Sequence, residues 1–269
     1  MNALEKKMVD LLSRLRDDFS VVGVKAEFEA EGTRLEEAMR LKEVSMKAGL
    51  HLTLKIGGCE AIRDMFEAAN LGTSHLVAPM VETPYALKKY LGAIKVGFAE
   101  DLRQDMKFLI NLETITACRN FEEMLAMPEA AALDGIVIGR VDLTGSLGLT
   151  REDINSETVK NLALEAAAKA KAANKVVVVG GGVSFHSLPF FRSFPEGHID
   201  RYETRKVVFQ CPGALANKEA AFLHAVEFEL MWLKNKRSYY SQISKEDETR
   251  LVMMEERYKA QIAALAKAP

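Results

Sequence analysis

The sequence predicts a closed (β/α)8 barrel, a TIM barrel, with an added N-terminal helix and a C-terminal helical extension. Three observations carry that prediction. Short apolar runs alternate with amphipathic stretches from Val21 to Phe209. The connections are short, and no Ser/Gly/Pro-rich linker interrupts them. The length, 269 residues, suits one large domain, since α/β barrels typically run to about 250 residues. Repeated strand–helix units imply a parallel sheet, and about seven or eight of them imply closure.

Taken in order, residues 1–19 read as a charged helix capping the barrel. Strands are expected at Val21–Phe28, His51–Ile56, Ser74–Pro79, Phe108–Glu113, Gly135–Gly139, Lys175–Val179 and Tyr202–Phe209, within a barrel of residues 20–213. Between them Thr33–Ala48, Cys59–Leu71, Pro84–Phe98, Thr116–Met127 and Glu157–Ala173 have helical composition and spacing. Thr33 is a good N-cap, with Glu36 placed to complete a capping box. Gly49 and Gly72 stand where helices end, as C′ glycines do. Residues 214–269 are almost wholly helical and complete the barrel. There Phe222, Val226, Phe228, Leu230, Met231 and Trp232 cover more than one narrow stripe, which suits a subunit contact in a homo-oligomer or a helix closing its own barrel.

Composition narrows the function. The 48% hydrophobic and 28% charged content is ordinary for a soluble globular protein. A net charge of −2, from 36 basic and 38 acidic residues, gives no reason to expect nucleic acid or an anionic membrane as partner. No run approaches the ~20 apolar residues that span a bilayer. The first residues lack the apolar core of a signal peptide. Cys59, Cys118 and Cys211 are widely spaced and form no CxxC, which fits a reducing cytoplasm and argues against a thiolate metal site. A cytoplasmic enzyme with a small-molecule substrate is the expectation.

Two acids say the most about chemistry. Glu113 ends the apolar run Phe108–Leu112, and Asp142 follows the run Gly135–Gly139 by three residues. C-terminal strand ends of a parallel barrel all point to one rim, where catalytic groups collect. Two carboxylates there can hold a hard divalent cation through oxygen, leaving positions open for water and substrate. The bland alternative is two strand-end acids in unrelated turns.

The runs APMVET, INLETITA and DGIVIGRVDLTGSLG, in that order, resemble the HpcH/HpaI aldolase and citrate-lyase β-subunit family over roughly residues 20–210. The resemblance implies a barrel of the phosphoenolpyruvate/pyruvate type. It implies a divalent ion, Mg2+ above Mn2+ or Co2+, on Glu113 and Asp142. It also implies oligomerisation, and carbon–carbon bond cleavage or formation at a 2-oxo acid or acyl thioester. On that pattern the backbone of Gly139, Arg140, Val141 and Asp142 cradles the substrate carboxylate. The Arg140 side chain has two readings, towards substrate or out to solvent.

The chain departs from the family twice. Where the family has an arginine after the second strand, LTLKIGG supplies Lys55, a point charge rather than a bidentate fork. Lys55 then polarises the substrate oxygen, forms a Schiff base, or pairs structurally with an acid. Where the family's aldolases have a loop histidine after the first strand, KAEFEAEGT has none. Period-2 spacing instead puts Glu27 and Glu29 on one face, with Glu31 behind, so Glu27 or Glu29 becomes the candidate base.

Lesser candidates complete the reading. GGGVSF (180–185) is a rim loop able to approach a phosphate, though such runs are more often turns, and His186 beside it either reaches the mouth or, the favoured reading, is a loop histidine with no role. Glu203 and Arg205 read as an interior ion pair or, for Arg205, a substrate contact. His51 and His75 read as structural, and His198 and His224 carry no signal. The leading expectation is a metal-dependent carbon–carbon lyase on a 2-oxo acid. A citrate-lyase-like thioester lyase and an inactive barrel serving as a binding subunit stand as alternatives.

Overall fold

The structure, a computed structural model, describes residues 1–265. Helix α1 (Ala3–Phe19) precedes the sheet and buries Met8, Leu11, Leu12 and Leu15. Its N-terminus is closed by a capping box between Asn2 and Glu5. Strands β1 (Val21–Glu27), β2 (His51–Lys55), β3 (His75–Ala78), β4 (Lys107–Leu112), β5 (Gly135–Gly139), β6 (Val176–Gly180) and β7 (Arg201–Glu203) pair in parallel, each with the next. Strand β8 (Val207–Gln210) closes the ring. Helices α2 (Leu35–Lys47), α3 (Ile62–Asn70), α4 (Pro84–Gly97), α5 (Glu100–Asp105), α6 (Ile115–Leu125), α7 (Arg140–Ser146), α8 (Glu157–Ala172) and α9 (Leu188–Arg192) fall between strands. The fold is a closed (β/α)8-type barrel, as the alternation predicts.

Two local expectations are corrected. The stretch Tyr202–Phe209 is a hairpin, not one strand, so β8 runs antiparallel to both β7 and β1. The cause is the polar triplet Thr204–Lys206. Thr204 N donates to Val207 O at 2.9 Å, and Val207 N donates to the Thr204 hydroxyl at 3.1 Å, which closes a tight turn around Arg205 and Lys206. Helix α2 begins one residue later than expected. Its N-cap is Arg34, whose amide donates to the Glu37 carboxylate at 3.3 Å, while the Thr33 hydroxyl donates to Glu31 instead.

The interior of the barrel is divided. Val77, Leu109, Val137 and Val178, one from each of β3 to β6, form an apolar plug. On the other half stand charged residues from β1, β2 and β7: Glu27, Lys55 and Glu203, all buried, and Lys25, which is partly buried. Inward positions alternate along each strand, so this division is already written in the period-2 pattern of each strand.

Helix α10 (Glu219–Leu265) follows β8. Its first residues, to Glu229, belong to the same compact unit as the barrel. Residues from Leu230 onward form a second unit, a helix exposing Leu251, Met254, Tyr258 and Ile262. Among the described residues no helix is long and apolar enough to cross a membrane.

Candidate active site

Glu113 stands directly after β4 and is almost wholly buried. Its carboxylate accepts from Met80 N at 3.0 Å and from Asn111 Nδ2 at 2.6 Å. Met80 reaches it from a left-handed backbone conformation (φ 50°) just past β3. The neighbouring motif residues hold this geometry. Thr114 caps α6 through the Ala117 amide and donates to Glu82 at 2.6 Å, and Thr83 caps α4 through Ala86. Gly139 makes room for the carboxylate, because a Cβ there would lie 2.9 Å from Glu113 Oε2.

Asp142 lies in the first turn of α7 and lines the same cavity as Glu113. Burial pushes the Glu113 carboxyl up, and the charge of Asp142 adds to that shift. The Lys55 ammonium, the Met80 amide and the Asn111 amide oppose it.

A lattice of ion pairs surrounds this pair. Lys55 Nζ lies 3.0 Å from Glu29 and 3.6 Å from Glu113. Lys25 Nζ lies 2.6 Å from Glu203 and 3.0 Å from Glu27. Burial opposes the charge on Lys25, but Glu203 and Glu27 outweigh it and raise its pKa. Burial likewise opposes ionisation of Glu27, yet Lys25, Lys55 and Arg205 hold its carboxyl below the usual range. Arg205 sits in the β7–β8 turn, 3.8 Å from both Glu27 and Glu31, and Lys206 pairs with Glu31. The expected Glu203–Arg205 pair is therefore not formed; each takes a partner on or after β1.

These groups open onto a cavity of about 660 Å3. Its wall includes Lys55, Glu27, Glu29, Glu113, Asp142, Gly139, Val141 and Arg205, so those residues are brought together. Arg140 is not. Its fully buried guanidinium donates to the Gly180 and Gly181 carbonyls at 3.1 and 2.9 Å, to Asn155 Oδ1 at 2.6 Å and to the Ser187 hydroxyl at 3.2 Å. It lies over the rings of Phe190 and Phe191 at 4.8 and 5.1 Å. Burial lowers its pKa to about 10. Neither substrate nor solvent is its surrounding: this side chain ties α7 to the loop after β6. The glycine run at 180–182 serves that packing too, since a Cβ on Gly181 would lie 2.7 Å from Val141 N.

Sequence reasoning passed over Lys25, Asn111 and Arg151, which line the cavity together with Glu203, Phe222 and His186, for which it favoured other readings. Asn111 and Lys25 were readable in principle, because each stands two residues from a predicted site acid on the same strand face. His51 and His75 lie at the other end of the barrel strands. There His75 contacts Arg201 at 2.8 Å, and burial foremost, with the Arg201 charge, lowers its pKa to about 3.

The donor set suits a hard divalent cation. Glu113 and Asp142 offer carboxylate oxygens to one cavity, and the Asn111 and Met80 N–H groups orient the first of them. Among the described residues no group of three or more His, Cys, Asp or Glu side chains is placed to hold a metal ion. A cation held by two side chains would have its remaining coordination positions open to water and substrate.

Residues 51–184 match the sequence profile of the HpcH/HpaI aldolase/citrate lyase family. Comparison with curated proteins gives no significant match. Similar solved structures include the citrate synthase SbnG, at 12% identity over 86% of this chain and 90% of that one, with a TM-score of 0.60. An HpcH/HpaI aldolase from Desulfitobacterium hafniense DCB-2 matches at 10% identity over 88% of each chain, with a TM-score of 0.59. A family protein from Burkholderia cenocepacia J2315 matches at 16% identity over 88% of this chain and 99% of that one, with a TM-score of 0.56. These likenesses agree on the fold, and the motifs of β3, β4 and β5 lie within the profile match; the chain belongs to the HpcH/HpaI aldolase/citrate lyase family.

Proposed function

We propose that this protein is a divalent-metal-dependent carbon–carbon lyase that cleaves or condenses a 2-oxo acid through a pyruvate-type enolate. The observation that carries the reading is the pairing of Glu113 and Asp142. They come from two different strand ends, face one cavity, and lie close enough for the charge of one to raise the pKa of the other. A divalent ion on these two carboxylates, Mg2+ before Mn2+ or Co2+, supplies Lewis acidity to the oxo and carboxylate oxygens of the substrate.

The other roles follow from placement. Lys55 sets a positive charge beside Glu113, where the substrate oxygen gains negative charge on bond cleavage. Gripped by Glu29 and Glu113, it serves as a cation rather than a Schiff-base amine. Glu27 is held ionised by Lys25 and Arg205, whereas Glu29 is 32% exposed beside Lys55. Glu29 is thus the better placed of the two for proton transfer. Gly139 and Val141 border Asp142 on the cavity wall and offer backbone to the substrate carboxylate. Arg205 contributes charge at the rim.

Exchange of pyruvate methyl protons in D2O, followed by NMR with saturating Mg2+, tests this. Metal-dependent exchange that disappears in Glu113→Gln is expected. No exchange in the unaltered protein would sink the lyase reading and favour a barrel that binds without turnover.

A further inference from the structure

The wall of the cavity formed by α10 differs in character from the rest. Leu223 and Val226 line it while remaining 61% and 54% exposed. Between them and the barrel lies Phe222, stacked over Tyr202 and Phe209 at centroid distances of 6.0 and 5.9 Å. Phe185, from the loop after β6, meets Phe222 edge-on at 6.4 Å. Scattered exposed apolar side chains need no explanation. An apolar surface continuous with a cavity that has carboxylates at its base does, and it marks a ligand-binding wall.

The charges agree. Of the lysines and arginines lining the cavity, Lys25, Lys55 and Arg205 are held by carboxylates. Arg151 also lines a neighbouring cavity with Met80, Thr114 and Asp142, which α10 does not enter, so it serves the side of Asp142. The α10 wall itself carries Glu219 and Glu229. An anionic group placed there meets two carboxylates and no unengaged lysine or arginine.

We infer that the carbonyl partner of the 2-oxo acid is an uncharged, apolar aldehyde, seated on the Leu223–Val226 face of α10. The inference rests on the lyase reading and deepens it. In the cleaving direction the 4-hydroxyl of a 4-hydroxy-2-oxo acid gives up its proton and the C3–C4 bond breaks. The bond's electron pair passes to the 2-oxo oxygen as enolate, and C4 leaves as the aldehyde carbonyl. A proton then returns to C3 and gives pyruvate, so atoms and electrons balance without a redox partner. Placing C4 and its substituent towards α10 leaves the carboxylate end towards Asp142 and Arg151.

The test compares aldol addition of pyruvate to hexanal and benzaldehyde with addition to glyoxylate and succinic semialdehyde, at saturating Mg2+. The unaltered protein should favour the apolar pair by at least tenfold in kcat/KM. Leu223→Arg, and independently Val226→Lys, should shift that ratio at least tenfold towards the anionic pair. A preference of the unaltered protein for the anionic aldehydes, or a ratio unmoved in both variants, overturns the inference. A parallel readout separates this outcome from failure of the lyase reading. Broadening of the 19F signal of 4-fluorobenzyl alcohol by the unaltered protein, lost in Leu223→Arg, supports the apolar seat even where pyruvate exchange is absent. Pyruvate exchange without that broadening overturns the seat and leaves the lyase reading standing.

Discussion

Gly139 and Glu113 are fitted to each other: a Cβ at position 139 would lie 2.8 Å from the Glu113 Cβ and 2.9 Å from its Oε2. The last residue of β5 therefore decides where the first residue after β4 can put its carboxylate. Gly139→Ala should move Glu113 out of register with Asp142. We expect at least a tenfold loss of Mn2+ affinity, with a stability change of about 1–3 kcal/mol from overpacking. Titration calorimetry and urea unfolding measure the two effects separately. Unchanged metal affinity would show that the close approach is incidental.

Arg140 should prove structural. Replacing it with Leu strands two backbone carbonyls and the Asn155 side chain without their donor. Each buried unpaired group costs about 1–3 kcal/mol. Arg140→Lys should fail to restore stability, because a point charge cannot serve four acceptors set around a planar fork. Thermal unfolding of the two variants is the check, and a wild-type melting temperature in Arg140→Leu would contradict the placement.

The charged half of the barrel should make stability depend on acid. Glu27 has a carboxyl pKa below its ordinary value, so its contribution is present above the unfolded value and is lost as pH falls through the folded one. Glu27→Gln should flatten that acid limb. It should also cost about 3 kcal/mol at neutral pH, the low end for breaking a buried pair, because Glu203 still faces Lys25. Glu113 has the opposite sign. Its raised carboxyl favours the protonated fold, so its stabilising effect is lost as pH rises, and metal affinity should fall on acidification. In Asn111→Ala, which removes a donor to Glu113, that fall should begin at higher pH. Mn2+ titrations across pH read this directly.

Leu109, a plug residue that does not line the cavity, should carry stability independently of the site. Leu109→Ala should cost about 2–5 kcal/mol, measured by denaturant unfolding, with the metal affinity of the folded fraction retained.

The alternation of apolar runs and helices was enough to recognise the barrel, and strand-ending acids were enough to single out Glu113 and Asp142, which line one cavity. What escaped had identifiable physical causes. Tyr202–Phe209 reads as one run because its residues are strand formers on both sides of Thr204; only the hydroxyl and amide bonds of Thr204 reveal the reversal. Arg140 follows a glycine at a strand end, like a ligand-binding residue, but its burial depends on Phe190, Phe191 and Asn155, all distant in sequence. The part of α10 in the cavity wall was likewise invisible, because helical periodicity says which residues share a face and not what that face meets.

Calorimetric titration of Mn2+ into the unaltered protein, Glu113→Gln and Asp142→Ala tests the central claim most directly. Micromolar binding in the first and its loss in each variant is the predicted result. Equal binding by all three proteins, or no binding by any, would contradict a metal centre built on these two carboxylates.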